Sequence, residues 1–218
     1  MNNNFLHLGI IPDGSRRWAK INNINIETSY DITMKKLEEF IAIAISKKIK
    51  YVSIYLSSVD NIVKRTKKES DIFQESEKKF ISNLMECDFL DKIRIIPVGR
   101  MELLKPSFQD KLLEARKITT NNQVCYIYLL VAYDPYDELI KLSNTKLHKE
   151  QILENLGVPK MLDGIIRTSG ELRLSNFLPY QSGYAELLFT EKFIPDISSE
   201  EFLQMIDTLK RRKRRKGQ

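Results

Sequence analysis

A chain of 218 residues with 42% apolar and 9% aromatic residues can bury a sizeable core and is too apolar for an intrinsically disordered protein. Its formal charge is +6, yet the seven consecutive basic residues at 210–216 exceed that sum and leave residues 1–209 at −1, which excludes a globally basic nucleic-acid binder. Cys87 and Cys125 sit among apolar neighbours and His7 and His148 in unrelated contexts, so neither a disulfide framework nor a zinc site is indicated.

The start, MNNNFLHLG, lacks a basic n-region and an apolar h-region, and no run approaches the roughly 18 apolar residues of a membrane span. The protein is therefore expected to be soluble and cytoplasmic with reduced thiols, peripheral membrane contact being left open. Short apolar or β-branched runs at 5–11, 51–56, 93–98, 124–132, 164–168 and 185–190 predict six strands, most of them covered on both faces. Helix-period segments separate them: Met34, Leu37, Phe40, Ile41, Ala44 and Ile45; Ile72, Phe73, Phe80, Ile81 and Leu84; Leu112, Leu113 and Ala115; Phe202, Met205, Ile206 and Leu209. Strands alternating with helices predict one α/β domain over 1–218, a mostly parallel six-stranded sheet flanked by helices, with a basic tail at 210–218. In such sheets chemistry sits at the carboxyl ends of the strands.

At the first such end, Asp13, Gly14 and Ser15 make a turn and Arg16, Arg17, Trp18, Ala19 and Lys20 open a helix. Backbone N–H groups beside a glycine and two arginines suit an anion. A carboxylate inside an anion site makes sense when a hard cation such as Mg2+ bridges it to a diphosphate, although Asp13 as a plain helix cap stays open. At the fifth end, Arg167, Arg173 and Ser175 flank Gly170 and can converge on one phosphate. Glu186 begins an otherwise apolar strand, where it needs a metal or an arginine partner.

These two stretches carry a resemblance. HLGIIPDGSRRWAK resembles the first signature of the cis-prenyltransferases, the undecaprenyl diphosphate synthase family, usually HxAxIxDGNxRWA. IRTSGELRLSNFLPYQSGYAELLF resembles their last signature almost position for position, and the likeness spans essentially the whole chain. It implies the family's fold with a hydrophobic substrate tunnel, a homodimer, and Mg2+-dependent transfer of a prenyl group between small allylic and related diphosphates, without nucleic acid. Asp13 would bind Mg2+ and the allylic diphosphate, aided by Gly14, Ser15, Arg16, Arg17 and Trp18. Arg167, Arg173 and Ser175 would hold the second diphosphate, and Glu186 would reach the metal across the dimer.

The middle departs from the pattern. Ile26 replaces an arginine that grips the allylic diphosphate, and Ser29-Tyr30 replaces a Gly-His pair, Arg16 being the compensating cation. FSxENWxRP becomes SSVDNIVKRT, keeping Ser58 and Asn61 as catalytic candidates and Arg65 as a diphosphate ligand, one residue later. The PDGxRRW run with Tyr30 in place of histidine is similar to the lavandulyl and cyclolavandulyl diphosphate synthase branch, which joins two dimethylallyl diphosphates head to middle. Tyr30 is then expected to orient a diphosphate. Head-to-tail synthesis with isopentenyl diphosphate, transfer to a non-isoprenoid acceptor, a non-catalytic partner subunit, which the presence of Asp13 disfavours, and a nucleic-acid-binding protein resting on the basic tail alone are the alternatives. Phe73, Phe80 and Leu84 fall on the segment that lines the family's tunnel, where bulk would favour short products. The tail places Arg215 and Gly217 where the family has an Arg-x-Gly element that completes the partner's diphosphate site.

Overall fold

Six strands pair side by side, β1 (His7–Ile11), β2 (Tyr51–Tyr55), β3 (Ile93–Val98), β4 (Cys125–Leu130), β5 (Gly164–Arg167) and β6 (Glu186–Phe189). The computed structural model describes residues 5–212, so Arg215 and Gly217 lie outside the described residues. Every pairing is parallel, in the order β3-β4-β2-β1-β5-β6. The winding leaves β1 toward β2, β4 and β3 and then crosses back to β5, so the sheet reverses between β1 and β5. A crevice opens at the carboxyl ends of strands at such a reversal.

Side chains alternate across the sheet. Leu8, Ile10, Val52, Ile54, Ile93, Ile95, Ile127 and Leu129 face a core built with α2 (Ile26–Ser46), α4 (Lys67–Glu86), α5 (Pro106–Ile118) and α8 (Ser199–Arg211). Phe40 of α2 stacks on Phe202 of α8 with ring centroids 3.8 Å apart, which locks the two helices over β1. The helices start where short polar side chains free themselves for capping: Asn25 accepts from Thr28 N–H, Thr66 from Glu69 N–H and Ser198 from Glu201 N–H.

The opposite face is covered mainly by loops and short helices, so the strands are enclosed on both sides as their apolar runs predict. Tyr128, Leu130, Tyr133 and Ile165 pack there against Val158 and Leu162, which precede β5, and Phe177 and Leu178 from the loop between β5 and β6. Only α6 (Pro135–Ser143) and α7 (Lys149–Ile152) lie in the stretch between β4 and β5. The strands that read as continuously apolar are thus aromatic on this side, where tyrosines span sheet to loop and keep a polar tip.

His7 is buried in this layer, its Nε2 2.8 Å from Ser53 Oγ and its Nδ1 3.1 Å from the Met161 carbonyl. Burial pulls its pKa down to about 4, so the ring is neutral in the fold. An unfolded histidine binds its proton below about 6.5, so the stability of the neutral ring is present above that pH and lost as pH falls toward 4. The wild type is expected to lose about 3 kcal/mol more than His7→Gln between pH 7 and 4 in denaturant titrations; equal losses would refute this.

Cys87 and Cys125 are both free, as expected. Among the described residues no helix is long and apolar enough to cross a membrane.

Candidate active site

β1 ends at Ile11 and the chain turns through Pro12, Asp13 and Gly14 into α1 (Ser15–Ile21). Gly14 holds φ +108°, and a Cβ there would stand 2.5 Å from Phe193 and 2.9 Å from Ser169, so only glycine fits. Asp13 is pinned by one side chain: Thr168 Oγ1 accepts its N–H at 2.8 Å and donates to its carbonyl at 2.6 Å. α1 has no side-chain cap. The Asp13 carboxylate turns instead to two arginines, Oδ2 accepting from Arg167 Nη2 at 2.9 Å and Oδ1 from Arg17 Nη2 at 3.4 Å.

Arg167 is the last residue of β5 and is 3% exposed. Its Nη1 donates to Ser175 Oγ at 2.9 Å and to the Arg173 carbonyl. The loop between them is tightly folded, with Ser169, Gly170, Ser175 and Asn176 all at positive φ, and it brings Arg173 and Ser175 back over the strand end. Arg17 also donates to Ser169 Oγ at 2.6 Å and to Glu171 at 2.7 Å, and Arg173 pairs with the same Glu171. Three guanidiniums therefore share two carboxylates, a local excess of positive charge waiting for an anion.

These groups open onto one cavity of about 620 Å³. Asp13, Gly14, Ser15, Arg16, Arg17, Tyr30, Ser58, Asn61, Arg65, Arg167, Arg173 and Ser175 all line it, joined by Tyr55, Lys20 and Glu171. Met34, Leu37, Leu56 and Phe73 give it an apolar inner end. Phe73 alone of the three expected tunnel residues reaches the cavity; Phe80 and Leu84 are fully buried core.

Other expected residues behave differently. Trp18 does not line the cavity; its indole N–H donates to Asp196 at 2.6 Å and fastens α1 to the Ile194–Asp196 turn. Ser58 and Asn61 close a capping box on α3 (Val59–Val63), Asn61 N–H donating to Ser58 Oγ at 3.1 Å and Ser58 N–H to Asn61 Oδ1 at 3.3 Å. Tyr30 is 2% exposed, and its hydroxyl donates to Glu69 at 3.2 Å rather than standing free to meet a diphosphate. Burial raises that phenol to about 12, so it stays a neutral donor. Arg16 pairs with Glu69 at 3.3 Å while lining the same cavity as Asp13. Glu186 lies at the other end of the sheet: it pairs with Gly164, whereas Arg167 pairs with Phe189 three residues along, roughly 10 Å up the strands. Its carboxylate is 3.5 Å from Arg212 Nη1, and within one chain it does not meet Asp13.

Glu69, Glu171, Thr168 and Tyr55 were not anticipated. Tyr55 ends β2, where the strand-end rule could have found it, and Thr168 and Glu171 stand inside the quoted RTSGELR motif. Glu69 carried no signal, because its partners depend on how α4 sits against α2.

Among the described residues no group of three or more His, Cys, Asp or Glu side chains could cage a metal. Asp13 is one carboxylate at a cluster of diphosphate-suited cations, a donor set that fits Mg2+ arriving with its phosphate ligands rather than an ion held by protein alone.

Comparison with known proteins decides the family. The profile described as "Putative undecaprenyl diphosphate synthase" matches residues 11–217. This chain belongs to that family. It is a prenyltransferase, as are its relatives. The chain is similar to the tritrans,polycis-undecaprenyl-diphosphate synthase (geranylgeranyl-diphosphate specific) of Pyrococcus horikoshii, 31% identical over 97% of this chain and 86% of that protein. It is also similar to cis-prenyltransferase 4, chloroplastic, of Solanum lycopersicum, 30% identical over 97% of this chain and 74% of that protein. Among solved structures, lavandulyl diphosphate synthase from Lavandula x intermedia in complex with dimethylallyl diphosphate superposes with a TM-score of 0.85 at 25% identity, covering 97% of this chain and 98% of that one. A probable undecaprenyl diphosphate synthase from Campylobacter jejuni shares the fold, with a TM-score of 0.82, 24% identity and coverage of 98% and 99%. The single α/β domain with its six-stranded parallel sheet is the cis-prenyltransferase architecture.

Proposed function

We propose that this prenyltransferase couples two dimethylallyl diphosphates head to middle, giving a lavandulyl-type diphosphate. The observation that carries it is the cleft at the carboxyl ends of β1 and β5. There Asp13 stands between Arg17 and Arg167, Arg173 and Ser175 close the cation cluster, and Met34, Leu37, Leu56 and Phe73 give an apolar end suited to hydrocarbon. The lavandulyl diphosphate synthase likeness and the replacement of the family's Arg and Gly-His by Ile26 and Ser29-Tyr30 favour the irregular coupling over the regular one.

In this reading the C–O bond of one allylic diphosphate breaks and the diphosphate leaves with the electron pair. The middle carbon of the second molecule's double bond attacks the resulting cation. A proton lost from the neighbouring methyl group restores a double bond, the released diphosphate being its acceptor. Arg17, Arg167 and Arg173 stabilise the charge that builds on the leaving group, because cations already held in place by Asp13, Ser175 and Glu171 need little reorganisation at the moment of reaction. Mg2+, held by Asp13 and diphosphate oxygens, would neutralise further negative charge there. Met34, Leu37, Leu56 and Phe73 keep water from the cation, which would otherwise be quenched to an alcohol.

A homodimer belongs to this reading. Tyr136, Leu139 and Ile140 form an exposed apolar stripe on α6, and Tyr180, whose hydroxyl lies 3.5 Å from the Pro135 carbonyl, continues it toward exposed Tyr184 beside β6. A second copy on this surface is the partner this reading needs, because Glu186 stands too far along the sheet to meet Asp13 of its own chain. The free cysteines suit a reducing cytoplasm.

Head-to-tail extension with isopentenyl diphosphate is the second reading, favoured by the likeness to the undecaprenyl-diphosphate synthases. Incubation with Mg2+ and dimethylallyl diphosphate, alone and with isopentenyl, geranyl or farnesyl diphosphate, followed by mass spectrometry of the dephosphorylated products, separates the two. A branched ten-carbon alcohol from dimethylallyl diphosphate alone is the expected result. A strict requirement for isopentenyl diphosphate refutes irregular coupling.

A further inference from the structure

The inner face of α4 is unusually polar. Ser70, Phe73, Gln74 and Glu77 recur at helical spacing and are all buried. Gln74 is satisfied, accepting from Lys105 N–H at 2.8 Å and donating to Ser70 Oγ at 3.1 Å. Glu77 is not. It is wholly buried; Oε1 accepts from Ser57 Oγ at 3.3 Å, while Oε2 has no partner.

Arg65, the charge that acts on Glu77, is short of partners too. Its Nε and Nη1 are buried without a hydrogen bond, Glu69 lying 3.8 Å from Nε, and its guanidinium covers the Phe73 ring at 4.2 Å. Both groups border the cleft's apolar end. Phe73 and Arg65 line the cavity directly; Glu77 is one helical turn beyond Phe73, and its partner Ser57 adjoins the lining residue Leu56.

Resting on the prenyl-transfer reading, we propose that Arg65 and Glu77 form a polar back wall behind Phe73 that selects five-carbon allylic diphosphates against longer ones. Hydrocarbon pushed past Phe73 would press against guanidinium and carboxyl atoms that already lack hydrogen-bond partners, weakening the attraction of Arg65 for Glu77 and Glu69 with nothing to replace it. A five-carbon chain stops short of that wall. Burial raises the Glu77 carboxyl to about 8 against the opposing pull of Arg65 and the Ser57 hydroxyl, which marks how poorly the position tolerates the charged form.

The test is calorimetric binding, with Mg2+, of the unreactive dimethylallyl and farnesyl S-thiolodiphosphates. Wild-type protein should bind the farnesyl analogue no tighter than the dimethylallyl one. Glu77→Leu should bind the farnesyl analogue at least about tenfold tighter than wild type does, with dimethylallyl affinity within about threefold, and Glu77→Gln, still polar, should keep the wild-type order. A wild type that favours the farnesyl analogue by about tenfold, or a folded Glu77→Leu with the wild-type ratio, overturns the proposal. Glu77→Met takes the place of the leucine variant if that chain does not fold. Binding of neither analogue to wild type overturns the prenyl-transfer reading itself, and this inference with it.

Discussion

Asp13→Asn is expected to lower kcat about a thousandfold while leaving the fold in place. The carboxylate stands 2.9 Å from Arg167 and 3.4 Å from Arg17, so it is their counter-charge and, in the proposed reaction, the carboxylate that would hold Mg2+ against the leaving diphosphate. An amide of the same shape still accepts one hydrogen bond from Arg167 and leaves Thr168 free to hold the backbone, so the stability cost should stay within about 2 kcal/mol. Its sign on binding is opposite to its effect on turnover. Removing a negative charge beside three arginines strengthens the attraction for an anion, so metal-free diphosphate should bind the variant at least as tightly as wild type. Single-turnover kinetics with Mg2+ and calorimetry without it read the two effects separately. Unchanged turnover would remove Asp13 from the chemistry.

Arg167→Lys is expected to cost about a hundredfold or more in kcat/KM and also to destabilise the protein. Arg167 is 3% exposed and serves Asp13, Ser175 and the Arg173 carbonyl from one planar fork. An ammonium on a flexible stem cannot reach all three, and the half-buried Asp13 carboxylate is left with Arg17 alone at 3.4 Å, a change worth about 1–2 kcal/mol. Arg173 supplies the contrast, since it lies on the exposed lip of the cleft. Arg173→Lys should act mainly on KM, with a urea midpoint close to wild type. Equal destabilisation by the two lysine substitutions would show that Arg167 has no special place in the fold.

Much of this was legible in the chain. The runs at HLGII, YVSIY and GIIR became buried strands because continuous apolar residues suit a sheet covered on both sides. The two signature loops met because β1 and β5 are neighbours at the reversal of the sheet, which the strand-end rule anticipates. What stayed hidden depended on distances between elements. Spacing puts Tyr30 on the inner face of α2 but says nothing of α4's rotation, which delivers Glu69 to its hydroxyl. Trp18 reads as part of the anion loop, yet its ring finds Asp196, a residue nearly the whole chain away. Ser58 and Asn61 read as catalytic candidates through the family resemblance, and their spacing of three is equally that of a helix cap. Glu186 heads its strand, and parallel pairing carries that position to the end away from Asp13.

The most direct measurement is a crystal structure with Mg2+ and dimethylallyl S-thiolodiphosphate. The expected map shows diphosphate oxygens on Arg17, Arg167, Arg173 and Ser175, a metal ion on Asp13, and Glu171 released from at least one arginine. A diphosphate bound elsewhere, with Asp13 and Glu171 still holding all three arginines, would contradict the assignment of this cleft as the site of prenyl transfer.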